Sequence, residues 1–279
     1  MTPLRIVVVG NGLIGSAAAR WLSKRGADVV VVGPSEPPDP ATHDGVFSSH
    51  DDEGRLVSAQ QADRTWSTLA RRSIGRFAEL ERRSGVRFHF PVGRVSVVAP
   101  SDVAAARSWA ERADPTRTAL RVWSPADDSW RDSFPFLAVP DGFGLVSEGA
   151  PAGVVNPRAM LRAQNRVARD AGVRFVDDRV VSLTSGPDGV AATTFEGSSI
   201  RADRAVVATG AFTNLADLVP VPVPLRLKTE TTIRAAVSDD SARRLAAMPA
   251  ITYDIDDPDI DDIYLAPPLR YPDGVHRIK

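Results

Sequence analysis

The first thirty residues constrain this chain more than any other feature, because strand, glycine loop, helix and strand follow one another there without spare residues. Leu4 to Val9 is β-branched and nearly continuous, the pattern of a parallel strand buried on both faces. Gly10-Asn11-Gly12-Leu13-Ile14-Gly15 follows at once. Leu13, Ile14, Ala17, Ala18, Trp21 and Leu22 then recur with helical period, and Gly26 sits just past the last turn. Val29 to Val32 supplies a second strand. This βαβ setting turns a weak Gly-x-Gly-x-x-Gly match into a specific signal for dinucleotide binding. Gly10 permits the tight turn, Gly12 lets the backbone approach a pyrophosphate, and Gly15 allows close helix–strand packing. The helix N-terminus offers free N–H groups and partial positive charge to the anion.

One part of the fingerprint is absent. The second strand should end in Asp or Glu, to accept hydrogen bonds from the adenosine ribose. Gly33 stands there, followed by Pro34 and Ser35, and the nearest acid is Glu36. Either Glu36 takes over the contact or the contact is lost. No Arg stands there for a 2′-phosphate, so an NADP reading gains nothing.

Composition narrows the function classes. The 279 residues carry 34 Lys+Arg against 35 Asp+Glu, so there is no basic excess to neutralise a nucleic-acid backbone. Zero cysteine removes disulfides, thiolate nucleophiles and Cys-based zinc sites. No apolar run spans a bilayer, and Leu4 to Val9 leads into a glycine loop rather than a cleavage site, which makes the cytoplasm the expected location. His43, His50, His89 and His276 match no zinc spacing and have no Gly-x-Ser-x-Gly partner. The six aspartates between Asp254 and Asp262 lack the glycine and distal Glu of a calcium loop, so they read as a solvated hairpin tip and no metal site is expected.

After Val32 the α/β alternation stops, which disfavours a nicotinamide dehydrogenase. One long helix is expected from Ala62 to Ser84, with Trp66, Leu69, Phe77 and Leu80 on one stripe. Strands follow at Arg94 to Val98 and Phe143 to Ser147, and α/β patterning resumes near Asn156. There Asn156 caps a helix with Pro157 at its first position; Met160, Leu161, Gln164, Val167 and Ala168 form its buried face, and Gly172 closes it. Arg204 to Ala208 reads as another buried strand, and Pro224 to Val237 as a long one.

Four stretches now carry a resemblance: Gly10 to Gly15; Ser48-Ser49-His50 with Gly54-Arg55; Gly153 to Arg158 with the following helix, Gly172 to Phe175 and Arg179-Val180; and Ala202 to Ala211. Across nearly its whole length the chain resembles the D-amino-acid oxidase, glycine oxidase and sarcosine oxidase family of FAD-dependent oxidoreductases, and most of all the sarcosine-oxidase-like branch. The resemblance implies an α/β fold (α+β overall) in which a Rossmann-like FAD-binding domain, 1–84 plus 148–220, carries a mainly antiparallel β-sheet substrate domain, 85–147 plus 221–279. It implies FAD as cofactor, held by Gly10, Asn11, Gly12, Leu13, Ile14, Gly15, Gly33, Pro34, Ser48, Ser49, His50, Gly54, Arg55, Val180, Thr209, Gly210 and Ala211. Arg55 would stabilise negative charge beside the flavin, and Lys279 aligns with a lysine implicated in oxygen activation. The competing readings are a surface arginine and a solvated, frayed terminal lysine.

The implied reaction is oxidation of the C–N bond of a small amine or amino acid by hydride transfer to flavin N5, with O2 or another acceptor reoxidising the flavin. Where sarcosine-oxidase-like enzymes pair an Arg with the substrate carboxylate, this chain has Ser58, which cannot make a bidentate charge-assisted pair. Sarcosine itself is therefore disfavoured. Family members continue well beyond the position of Lys279, so the alternatives are a truncated or non-catalytic flavin-binding homologue, or one part of a split enzyme. Substrate apart, the partner classes left open are a homo-oligomer and a complementing second chain; neither nucleic acid nor membrane is expected.

Overall fold

A computed structural model describes residues 2–37, 42–43, 50–59, 63–112, 120–227, 231–257 and 260–279. The chain opens with β1 (Arg5–Val9), α1 (Leu13–Lys24), β2 (Asp28–Val32) and β3 (Arg55–Val57). Next come α2 (Arg64–Ile74), α3 (Phe77–Ser84), β4 (His89–Phe90), β5 (Arg94–Val98), α4 (Val103–Arg112) and β6 (Leu120–Trp123). They are followed by α5 (Trp130–Ser133), β7 (Gly144–Glu148), β8 (Gly153–Val155), α6 (Pro157–Asp170) and β9 (Arg174–Val176). Strands β10 (Val180–Gly186), β11 (Gly189–Thr194) and β12 (Ser199–Ala202) precede β13 (Arg204–Val207). The last elements are β14 (Ala235–Val237), α7 (Asp239–Arg244), β15 (Ala250–Asp257), β16 (Ile260–Leu265), β17 (Leu269–Arg270) and β18 (His276–Ile278).

Two compact units divide these elements: Met1–Asp52, Glu79–Arg87 and Pro157–Glu230 form the first, and Glu53–Ala78, Phe88–Asn156 and Thr231–Lys279 the second. The sequence-based boundaries differ at two segments in particular: Glu53–Ala78, expected with the dinucleotide domain, joins the second unit, as do residues 148–156.

In the first unit a parallel sheet runs β13-β1-β2-β9. The valine run of β1 is explained by burial on both faces. Ile6 and Val8 point into a core with Ala19 of α1 and Ala168 of α6. Val7 and Val9 point the other way, into a core with Val180, Ala192 and Ala202 of the antiparallel sheet β10-β11-β12. Alternate side chains of one strand therefore serve two cores. Helix α1 buries Gly15, Ser16 and Ala19 rather than the apolar set read from its period, and Ile14 is 76% exposed. Its buried face is made of small residues. In α6 Leu161, Gln164, Val167 and Ala168 are buried as expected, whereas Met160 is half-buried.

The second unit is mainly antiparallel. Its largest sheet runs β16-β15-β5-β7-β6 with a single parallel pairing, β15 with β5. Smaller sheets run β3-β8-β4 and β14-β18-β17. Val95, Val97, Trp123, Leu145 and Ile251 form the main core.

Three expectations are corrected. The long helix is two helices broken after Ile74; Gly75 ends the first, whose N-cap Asp63 accepts a hydrogen bond from the Trp66 N–H at 2.9 Å. Trp66 and Leu69 of the expected apolar stripe are exposed, while Ile74 and Leu80 are buried. Of the long strand expected from Pro224 to Val237, only Ala235–Val237 forms among the described residues; prolines at 220, 222 and 224 precede it and cannot donate to a ladder.

Candidate functional site

A cavity of about 780 Å³ opens in the first unit at the carboxyl ends of β1, β2 and β13, within the size range of small-molecule and cofactor sites. Its floor is the glycine loop. Gly10 holds a φ of +107°, and a Cβ there would stand 2.5 Å from the Ala208 carbonyl oxygen. Gly10 N–H donates to the Val32 carbonyl at 2.7 Å and Ala208 N–H to Val9 at 2.8 Å, so three strand ends are drawn together at one residue that only glycine can fill. Gly12 is the N-cap of α1 and supplies no capping side chain, which leaves first-turn N–H groups without intrahelical partners. Gly15 does not line the cavity. A Cβ at Gly15 would meet the Gly10 carbonyl oxygen at 1.9 Å, with the nearest strand side chain, Val8, at 3.4 Å. Its absence of a side chain thus admits the loop itself more than the strand.

The wall comprises Asn11, Leu13, Ile14, Gly33, Pro34, Glu36, His50, Val180, Thr209 and Gly210 among others. Asn11 Oδ1 is buried with no hydrogen-bond partner among the described residues, an acceptor aimed at no protein group. Thr209 and Thr213 hydroxyls lie 3.0 Å apart, and Thr213 donates to the Gly210 carbonyl at 2.8 Å. Phe212, Leu215 and Leu218 add apolar surface. Ala211 is not among the lining residues, and Ser48 and Ser49 lie outside the described residues.

Two lining carboxylates share one guanidinium. Arg158, the second residue of α6, pairs with Glu36 and also with Asp51 Oδ1 at 3.1 Å. Arg162, one turn later, approaches the other Glu36 oxygen at 3.6 Å. His50 sits in the same field: burial pushes its pKa below the ordinary imidazole value, Glu36 and Asp51 oppose that, and Arg158 adds to it.

Gly54, Arg55 and Lys279 belong to the second unit, and they meet there around a residue the sequence reading passed over. Arg55 Nη1 donates to the Tyr264 hydroxyl at 3.2 Å. Lys279 Nζ donates to the same hydroxyl and to the Gly54 carbonyl at 3.2 Å, with the ammonium 4.5 Å from the Tyr264 ring centre. Lys279 is therefore half-buried and bonded rather than frayed. The Tyr264 hydroxyl oxygen thus accepts from two cationic side chains. Nothing local marked Tyr264; it sits in a short run between aspartates and prolines, and only the pairing of β15 with β16 and the return of β18 bring it to Arg55. Ser58 is buried, donating to Glu148 Oε2 at 2.5 Å, while Ala59 N–H donates to Oε1 at 3.0 Å. Asn156, expected as a cap, donates its amide to Glu53.

A parallel sheet with a glycine loop at its carboxyl edge and a cavity across the strand ends defines a dinucleotide-binding α/β protein. Residues 5–278 match the family of FAD dependent oxidoreductases, and the chain belongs to that family. FAD is the cofactor of that family. Monomeric sarcosine oxidase from Bacillus sp. (strain B-0618) is 27% identical over 236 residues, covering 81% of this chain and 56% of that protein. Among solved structures, fructosamine oxidase (Amadoriase II) from Aspergillus fumigatus, a deglycating enzyme, superposes with a TM-score of 0.72 at 19% identity, covering 100% of this chain and 63% of the other. NikD, an amino acid oxidase of nikkomycin biosynthesis, gives 0.68 at 21% identity, covering 100% and 69%. The chain thus spans little more than half the length of the sarcosine oxidase. Among the described residues no helix is long and apolar enough to cross a membrane.

Proposed function

We propose that this chain binds FAD in the cavity of its first unit and serves an oxidoreductase that acts on the C–N bond of an amine or amino acid. The cavity carries the reading. Its glycine floor leaves room for backbone approach, its helix end offers N–H groups to a pyrophosphate, and the unpartnered Asn11 Oδ1 offers an acceptor. These features fit the family's cofactor. Bound FAD supplies a two-electron acceptor.

The roles assigned to this chain's own residues follow from their chemistry. Gly10 to Ile14, Gly33, Val180, Thr209 and Gly210 would bind and orient the dinucleotide. Arg55 and Lys279, joined through Tyr264, are the group proposed to hold negative charge in the second unit. Ser58 is engaged by a buried carboxylate, so it is a poor receptor for a substrate carboxylate; the proposed substrate is an amine whose recognition does not rest on that position. That the relatives are a sarcosine oxidase, a fructosamine oxidase and an amino acid oxidase supports the amine class. A cytoplasmic location, and either a homo-oligomer or a complementing chain as partner, belong to the same proposal.

The absorption spectrum of the purified protein, with and without added FAD, is the test. Bands near ~370 and ~450 nm, those of the bound flavin, are expected, followed by bleaching on anaerobic addition of an amine substrate. Absence of flavin binding refutes the reading. Flavin binding without bleaching across an amine and amino-acid panel favours the second reading, a flavin-holding chain without turnover of its own, to which Ser58, engaged by Glu148, points.

A further inference from the structure

No side chain is admissible where the ribose-binding acid ordinarily stands. A Cβ at Gly33 would lie 2.4 Å from the Asn11 backbone nitrogen and 2.9 Å from the Asn11 Cβ, far inside van der Waals contact. The strand end and the glycine loop are packed too closely for any residue but glycine. An acid serving this cavity must therefore come from elsewhere.

The loop that follows is tied down and delivers one. Gly33 N–H donates to the Val176 carbonyl at 3.1 Å, and Ser35 N–H to Asp177 Oδ1 at 2.7 Å. Residues 33–36 are thus held along the end of β9, and Glu36 lines the cavity. Its carboxylate is not left to search rotamers in water. Arg158, only 14% exposed at its side chain, pairs with Oε1, and Arg162 approaches Oε2. Both arginines project from the same face of α6 because they are four residues apart. The Glu36 Oε1 and Asp51 Oδ1 atoms that face Arg158 are buried, so Arg158 also neutralises two carboxylates that would otherwise repel each other. Removing it would splay Glu36 from Asp51.

We propose that Glu36 is the carboxylate that receives the adenosine ribose hydroxyls in this cavity, and that Arg158 is its positioning residue. The inference rests on the FAD reading above. It assigns the lost contact to a residue three positions later, with the ordering that a strand end normally provides supplied by α6 instead. A carboxylate held in place before binding loses no rotamer freedom when the ribose arrives.

The test is flavin binding, read by quenching of flavin fluorescence, with two ligands: FAD and its 2′,3′-dideoxyadenosine analogue. The proteins are wild type, Glu36→Gln, Arg158→Met, Arg158→Lys and the Glu36→Gln/Arg158→Met double variant, each checked for folding by circular dichroism. Glu36→Gln is expected to weaken FAD binding about 10- to 100-fold, the range for hydrogen bonds to a charged group, and to leave the analogue unchanged. Arg158→Met is expected to lose a similar factor for FAD only, and the double variant to be no worse than Glu36→Gln alone. Arg158→Lys, a point charge that cannot bridge two carboxylates, should fall between. If Arg158→Met does not fold, the lysine variant carries the comparison. Wild-type affinity in Glu36→Gln, equal losses for both ligands, or additive losses in the double variant would overturn the assignment while leaving FAD binding intact. A wild-type chain that binds neither ligand would instead sink the FAD reading, and this inference with it.

Discussion

Replacing Gly15 by alanine tests whether the glycine loop is set by close approach of its own backbone. The added Cβ would stand 1.9 Å from the Gly10 carbonyl oxygen, whereas ordinary contact begins at 3.4 Å; the carbonyl must retreat by about 1.5 Å. A backbone oxygen has no rotamer by which to move aside, so the loop must shift as a whole. Overpacking of this kind costs about 1–3 kcal/mol, and the severity of the contact places this site at the upper end. Alanine recovers about 1 kcal/mol of helix propensity, leaving a net loss of about 2 kcal/mol. For a unit of this size that lowers Tm by about 4–8 °C. Because the displaced carbonyl belongs to a residue lining the cavity, FAD affinity should fall at least about tenfold, or 1.4 kcal/mol. Gly26→Ala is the control: it holds a φ of +86° but has nothing within 4 Å of an added Cβ, so it carries conformational strain of about 1–2 kcal/mol without crowding. Thermal melts and FAD titrations of both variants decide the matter. A Gly15→Ala protein with wild-type Tm and FAD affinity within twofold of wild type would refute the reasoning.

Four further outcomes are expected. Because the folded state holds the His50 pKa below its unfolded value, the unfolded chain binds more protons as pH falls through about 6.5, the ordinary imidazole value; stability present above that pH should decline on acidification toward the folded-state pKa, and His50→Gln should remove that part of the pH dependence in urea melts. Glu148→Leu should destabilise the second unit by about 1–3 kcal/mol, because it leaves the Ser58 hydroxyl and the Ala59 N–H without their buried acceptor; a loss under about 0.5 kcal/mol in urea melts would contradict this. Asp63→Ala removes the cap of α2 and should cost about 1 kcal/mol, with wild-type stability as the contrary result. Tyr264→Phe deprives the Lys279 ammonium of a hydroxyl acceptor, so an amine-acylating reagent should label Lys279 faster by mass spectrometry, and unchanged labelling would show the hydroxyl to be incidental.

The N-terminal βαβ unit was legible because its determinants are local. Strand, turn and helix are written within thirty residues by valine runs, by Gly10 at positive φ and by helical spacing, and short-range sterics suffice to realise them. Legibility fell wherever burial decided. Trp66 and Leu69 look like a buried stripe, yet both are exposed, while α1 buries its small residues Gly15, Ser16 and Ala19. The sites divide along the same line. The cavity-lining residues 10–14, 33–34, 50, 180 and 209–210 could be named from motif and resemblance, since each lies at a strand end or turn whose place the topology dictates. Glu36, Arg55 and Lys279 could be named singly, but the Glu36–Arg158–Asp51 and Arg55–Tyr264–Lys279 groupings could not, because each joins residues more than a hundred positions apart in sequence. Side chains that distant become neighbours only when sheets pair in register and helices pack, and that outcome depends on the summed burial of many residues rather than on the spacing of a few.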